Sequence, residues 1–67
     1  MNVIVNGKTH ELSTELHSVE QLLTFFNLNP KVVIVERNGE IVLKKHYSQT
    51  LLADGDQFEF VHFVGGG

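Results

Sequence analysis

Two Asn-Gly dipeptides, Asn6-Gly7 and Asn38-Gly39, do most to limit what these 67 residues fold into. Each interrupts runs of apolar, mostly β-branched residues: "VIV" precedes the first, "VVIVER" precedes the second and "EIVL" follows it. Asn-Gly supplies the two positive φ angles of a tight turn whose twist matches that of paired strands. The sequence therefore predicts two β-hairpins. In the first, Met1, Val3 and Val5 alternate and face one core. The return strand runs from about Lys8 to Leu12, and a two-residue turn sets Lys8 and His10 on the face of Val5 and Val3. In the second, Val32 to Val35 pair with Ile41 to Leu43, and the unbroken apolar run predicts a strand covered on both faces or largely enclosed.

Between the hairpins, "HSVEQLLTFFNLNP" reads as a helix. Ser18 caps it, with Gln21 at the capping-box spacing. Val19, Leu22, Leu23 and Phe26 fall at i, i+3, i+4 and i+7, one apolar stripe. Asn27 suits a left-handed position after the last turn, Leu28 folds back on the stripe, and Pro30 blocks continuation. A helix this short does not persist alone, so it packs on a sheet. Further on, "HYSQTLL" is compatible with a short helical turn and then a bridge strand. "ADGDQ" is a turn by composition, with Asp54 and Asp56 as turn residues. "FEFVHFV" alternates, with Phe58 and Phe60 on one side and Glu59 and Val61 on the other.

The order strand, strand, helix, strand, strand, strand makes one α+β layer pair, a helix laid across a mixed sheet of four to five strands. A right-handed crossover after the first hairpin carries the later strands to the far side. The last strand then inserts beside the first, in parallel, at the sheet centre. The segment 1–64 is expected to be the folded domain, and 65–67 a flexible glycine tail.

Composition excludes several functions. The chain has no cysteine, so no disulfide, thiolate nucleophile or Cys-ligated zinc site exists. The missing staples favour a reducing compartment, and "MNVIVNGKTH" has neither the basic region nor the apolar run of a signal peptide. No apolar run approaches membrane-spanning length. A cytoplasmic protein without membrane partners is the simplest expectation. Five Lys and Arg against eight Asp and Glu give a net charge of −3, with no basic stripe to bind nucleic acid. His10, His17, His46 and His62 lack any metal-ligand spacing and are expected to be surface or sheet residues. Glu11, Glu15, Glu36, Glu40, Asp54, Asp56 and Glu59 are scattered between elements and read as solvated surface. An enzyme of this size would need to hollow out most of its core.

The strand order, the "DGD" turn, "VVIVERNGEIV" (Val32 to Val42), the last strand and the Gly-Gly end resemble the ubiquitin-like sulfur carriers. "DGDQFEFVHFVGGG" (Asp54 to Gly67) and the short length most closely resemble the ThiS family of thiamin biosynthesis. The resemblance covers nearly the whole chain. "KKHYSQ" departs from a Pro-containing stretch common among relatives. A glycine terminus taken alone is usually a frayed end or a cloning scar. With this strand order before it, it reads as the working end.

The resemblance implies a β-grasp fold and a protein substrate rather than an enzyme. It implies that a ThiF-like adenylyltransferase, using ATP and Mg²⁺ bound by that partner and not by this chain, adenylates the Gly67 carboxylate. A sulfur donor protein then forms a thiocarboxylate, and a ThiG-like thiazole synthase takes up the sulfur. Gly65 and Gly66 thread the partner's active site, because three extended residues reach roughly 10 Å and residues without Cβ accept whatever φ and ψ a channel imposes. Val61, Phe63 and Val64, apolar and next to the tail, are the expected partner contacts. Molybdopterin synthesis, another sulfur pathway, or use as a ubiquitin-like protein modifier are the alternative uses of the same carboxylate.

Overall fold

Asn6 and Asn38 adopt φ of 49° and 50°, and Gly7 and Gly39 follow at 83° and 86°, so both hairpins close as the sequence predicts. The computed structural model describes residues 1–62. The first hairpin joins β1 (Asn2–Val5) to β2 (Lys8–Glu11), with Val3 opposite His10 and Val5 opposite Lys8. The second joins β3 (Val33–Arg37) to β4 (Glu40–Val42). The final strand, β5 (Gln57–His62), lies between them, giving the sheet order β2-β1-β5-β3-β4. It runs parallel to β1 and antiparallel to β3. This is the α+β, β-grasp arrangement expected from sequence, with five strands.

The helix α1 (Val19–Phe25) is fixed at both ends by local chemistry. Ser18 Oγ accepts from Gln21 N–H at 3.2 Å, and Gln21 Oε1 accepts from the backbone N–H groups of Ser18 at 3.2 Å and His17 at 2.7 Å. The reciprocal bonds satisfy donors that the first turn leaves free. At the other end Asn27 takes φ of 58°. Leu28 N–H donates to Leu23 O and Asn27 N–H to Thr24 O, the paired bonds of a left-handed helix stop. After β4, Lys44–His46 form a single 3₁₀ turn, and Leu51 makes an isolated bridge with Ser18. "HYSQTLL" thus resolves into the end of a helical turn followed by a bridge.

Val19, Leu22 and Leu23 from α1 pack on Val3, Val5, Val33, Val35 and Phe58 from the sheet. Leu12, Tyr47 and Leu52 complete the buried cluster. Full burial of such side chains contributes about 1.5–3 kcal/mol each. Tyr47 reaches its hydroxyl to Val33 O at 3.3 Å, so its polar end is satisfied inside the core; burial raises its phenol above the ordinary value.

One expectation fails. The run Val32 to Val35 is not enclosed on both faces: Val33 and Val35 are buried, while Val32 and Ile34 are exposed. A single helix covers a single face, and no second layer exists among the described residues to cover the other.

Candidate functional site

The strand that leads to the chain end is paired on both flanks. On one flank β5 pairs with β3 along the register Val33↔His62 to Arg37↔Phe58. On the other it pairs with β1 through Ile4↔Gln57 and Val5↔Phe58. Both Asn-Gly turns then add side-chain bonds to it. Asn38 Oδ1 accepts from Gln57 N–H at 2.9 Å, near the start of β5. Asn6 Oδ1 accepts from Phe60 N–H at 2.8 Å, and Asn6 Nδ2 donates to Phe60 O at 3.3 Å, near its end.

Entry into β5 is held by Asp56, read from sequence as a solvated turn residue and found buried. Its carboxylate accepts from Ala53 N–H at 2.8 Å, Arg37 Nε at 2.9 Å and Asn38 Nδ2 at 3.0 Å. Burial alone pushes a carboxyl up. Here the hydrogen bonds from Ala53, Asn38 and Arg37, with the Arg37 charge, outweigh it and hold Asp56 below the usual carboxylate value. Asp54 does behave as a turn residue, accepting from Asn2 N–H at 2.7 Å, and Gly55 at φ 87° completes the turn.

The sheet face away from α1 carries an apolar surface. Ile34 lies opposite Val61, and Ile41 opposite Glu36, so alternation puts Ile34, Val61 and Ile41 on that face together. Leu43 follows two residues after Ile41, and all four are large exposed apolar side chains. Glu36 and Glu59 face each other across β3 and β5 beside them. Val61, one of the expected partner contacts, is exposed and belongs to a patch with Ile34, Ile41 and Leu43. Phe63, Val64, Gly65, Gly66 and Gly67, and the expected 64/65 boundary, lie outside the described residues.

The histidines take the ordinary places expected of them. His10 packs edge-on to Phe26 with ring centroids 5.0 Å apart, and His17 Nε2 bonds to Thr14 O at 2.9 Å. His46 and His62 are exposed. Among the described residues no three His, Cys, Asp or Glu side chains gather as a metal site, and no helix is long and apolar enough to cross a membrane. An apolar hollow is lined by Met1, Leu16, His17 and Leu51, beside the start of β1.

A helix held across a mixed sheet, with the last strand central, defines the β-grasp, ubiquitin-like class. A profile of the ThiS family matches residues 3–67. The sulfur carrier protein ThiS of Bacillus subtilis is 44% identical over 63 residues, covering 94% of this chain and 96% of that one. A thiazole synthase of Paramagnetospirillum magneticum is 42% identical over all of this chain, which spans only 20% of that protein. The crystal structure of the thiamine biosynthesis protein ThiS from Geobacter metallireducens superposes with a TM-score of 0.85 at 36% identity, with both chains fully covered. The chain belongs to the ThiS family, the sulfur carriers of thiamin biosynthesis.

Proposed function

We propose that this chain carries sulfur as a thiocarboxylate on Gly67 and delivers it for formation of the thiazole ring. The observation that supports this most strongly is family membership extending through the glycine end, on a fold whose tail-bearing strand is gripped on both flanks. A chain-terminal carboxylate is ionised at neutral pH, and it resists attack by sulfur because the departing group would be oxide. Attack of the Gly67 carboxylate on the α-phosphate of ATP releases pyrophosphate and leaves an acyl adenylate. A sulfur nucleophile then displaces AMP. Mg²⁺ and cationic groups of an activating, ThiF-like enzyme offset the charge repulsion of the first step.

The domain's own contribution is docking and reach. Ordering a glycine tail costs roughly 1–2 kcal/mol per residue of backbone, which contacts elsewhere must offset. The patch of Val61, Ile34, Ile41 and Leu43 is suited to that contact. The adjacent Glu36 and Glu59 call for cationic side chains on the partner. The same surface and tail serve a thiazole synthase in turn; the likeness to part of two proteins of that name supports this partner.

Intact-mass measurement after incubation with the adenylyltransferase, ATP and a sulfur source tests the reading. One terminal oxygen is replaced by sulfur, and removal of Gly67 abolishes the change. A chain that gains no sulfur while the enzyme charges another carrier in the same mixture rules the reading out.

A further inference from the structure

Asn6 does more than close a turn. β1 ends at Val5, one residue before it, and its φ of 49° sends the main chain away from β5. The Asn6 N–H still donates to Phe58 O at 2.9 Å, the last main-chain bond of the β1–β5 ladder. At Phe60 the side chain takes over, with Oδ1 as acceptor and Nδ2 as donor to the two groups that a continuing strand would have met. Past Phe60 the described pairing of β5 runs only along β3, through Ile34↔Val61 and Val33↔His62. Among the described residues Asn6 is thus the last tie on that flank of the strand. Turn geometry alone does not demand this residue. Gly and Asp also suit positive φ, but neither offers both a donor and an acceptor.

We infer that Asn6 is a positioning residue for the tail: by bonding both backbone groups of Phe60 it fixes the direction in which the chain end leaves, before any partner binds. This rests on the proposed activation of Gly67. A direction set in advance leaves fewer residues to be ordered when the enzyme binds, so loss of the tie weakens productive docking rather than the chemical step. The expected signature is a raised KM with kcat retained.

Asn38 provides the control. Its turn has the same geometry, but its side chain bonds to Gln57 and Asp56, at the far end of β5. Asn6→Gly and Asn38→Gly both keep a residue that accepts positive φ, and each removes one set of ties. In Asn6→Gly, amide hydrogen exchange at Phe60 and at the following Val61 and His62 rises more than in Asn38→Gly, relative to each variant's global unfolding. In adenylation by the ThiF-like enzyme, kcat/KM of Asn6→Gly falls about tenfold through KM, the scale of ordering one further residue, and that of Asn38→Gly stays at the wild-type value. Asn6→Asp, keeping the acceptor alone, falls between. Wild-type exchange at Phe60 to His62 in Asn6→Gly overturns the proposal, as does a loss of kcat/KM no greater than in Asn38→Gly. A wild-type chain that the enzyme does not adenylate overturns the sulfur-carrier reading and with it the role in activation, whereas the exchange comparison still decides whether Asn6 holds the strand.

Discussion

The two faces of β3 are built from the same kind of residue and meet opposite fates. Val33 and Val35 are 4% and 0% exposed beneath α1, while Ile34 on the other side is 43% exposed. The contrast extends across the sheet. Val3, Val5 and Phe58 join the covered face, and Ile41, Leu43 and Val61 the open one. Hydrophobicity therefore does two jobs in one short chain. On the covered face it supplies the free energy of folding. On the open face it contributes little to the isolated domain, and clustered beside the strand that leads to Gly67 it is suited to a partner. The two faces are separable by mutation.

The largest effect is expected on the covered face. A domain of this length has a total stability of about 3–10 kcal/mol. Phe58 is 1% exposed and sits on the central strand. Phe58→Ala removes about 3–5 kcal/mol, so urea titration followed by circular dichroism finds the midpoint lowered by a third or more, and the variant unfolded without denaturant if the wild-type stability lies at the low end of that range. A midpoint close to wild type would mean that the covered face is not what holds the sheet and helix together.

Between the two faces in magnitude stands the polar latch at the sheet end. Asp56→Ala strands the Ala53 N–H and Asn38 Nδ2 and frees Arg37. Because Arg37 is partly exposed and rehydrates, the expected loss is about 1–3 kcal/mol. The pH dependence carries a sign. The folded pKa of Asp56 lies below its unfolded value, so its contribution is fully present above the ordinary carboxylate range, about pH 4, and disappears as pH falls through the folded value. Asp56→Ala removes that part of the acid limb, so wild type and variant converge in stability toward low pH. Parallel curves would place the acid sensitivity in other carboxylates.

How much of this was legible in the sequence follows the range of each interaction. The turns at Asn6 and Asn38, the Ser18–Gln21 box and the Asn27 stop are set by residues within a few positions, and local chemistry is enough to read them. The central place of β5 also follows, because handedness leaves the last strand few choices. Asp56 was misjudged because its side-chain partners stand 18 and 19 residues away, and nothing beside it in the chain marks it for burial. The Asn6 tie to Phe60 spans 54 residues and was invisible for the same reason. The face of Ile34 was misjudged because a run of β-branched residues records that a strand is apolar without recording how many layers exist to cover it. Nearness to the chain end is enough to single out Val61, while Ile34, Ile41 and Leu43 join it only through the strand register.

The smallest effect on stability and the sharpest test of the contrast lie on the open face. Ile41 is 65% exposed and opposes Glu36 on an edge strand. Ile41→Ser removes little buried surface, so stability changes within about 0.5 kcal/mol. The double change Ile41→Ser with Val61→Ser is expected to leave the fold intact by the same argument, since Val61 is 55% exposed. Under the proposed function, thiocarboxylate formation behaves differently: if the patch docks the activating enzyme and these two residues are among its central anchors, the double variant loses kcat/KM by a factor of ten or more, because truncating such an anchor costs above about 1 kcal/mol. An unfolding curve shifted as far as that of Phe58→Ala would show that the open face also holds the fold, and unchanged activation would place docking elsewhere on the molecule. Only a variant that folds like wild type and charges poorly keeps the two faces apart.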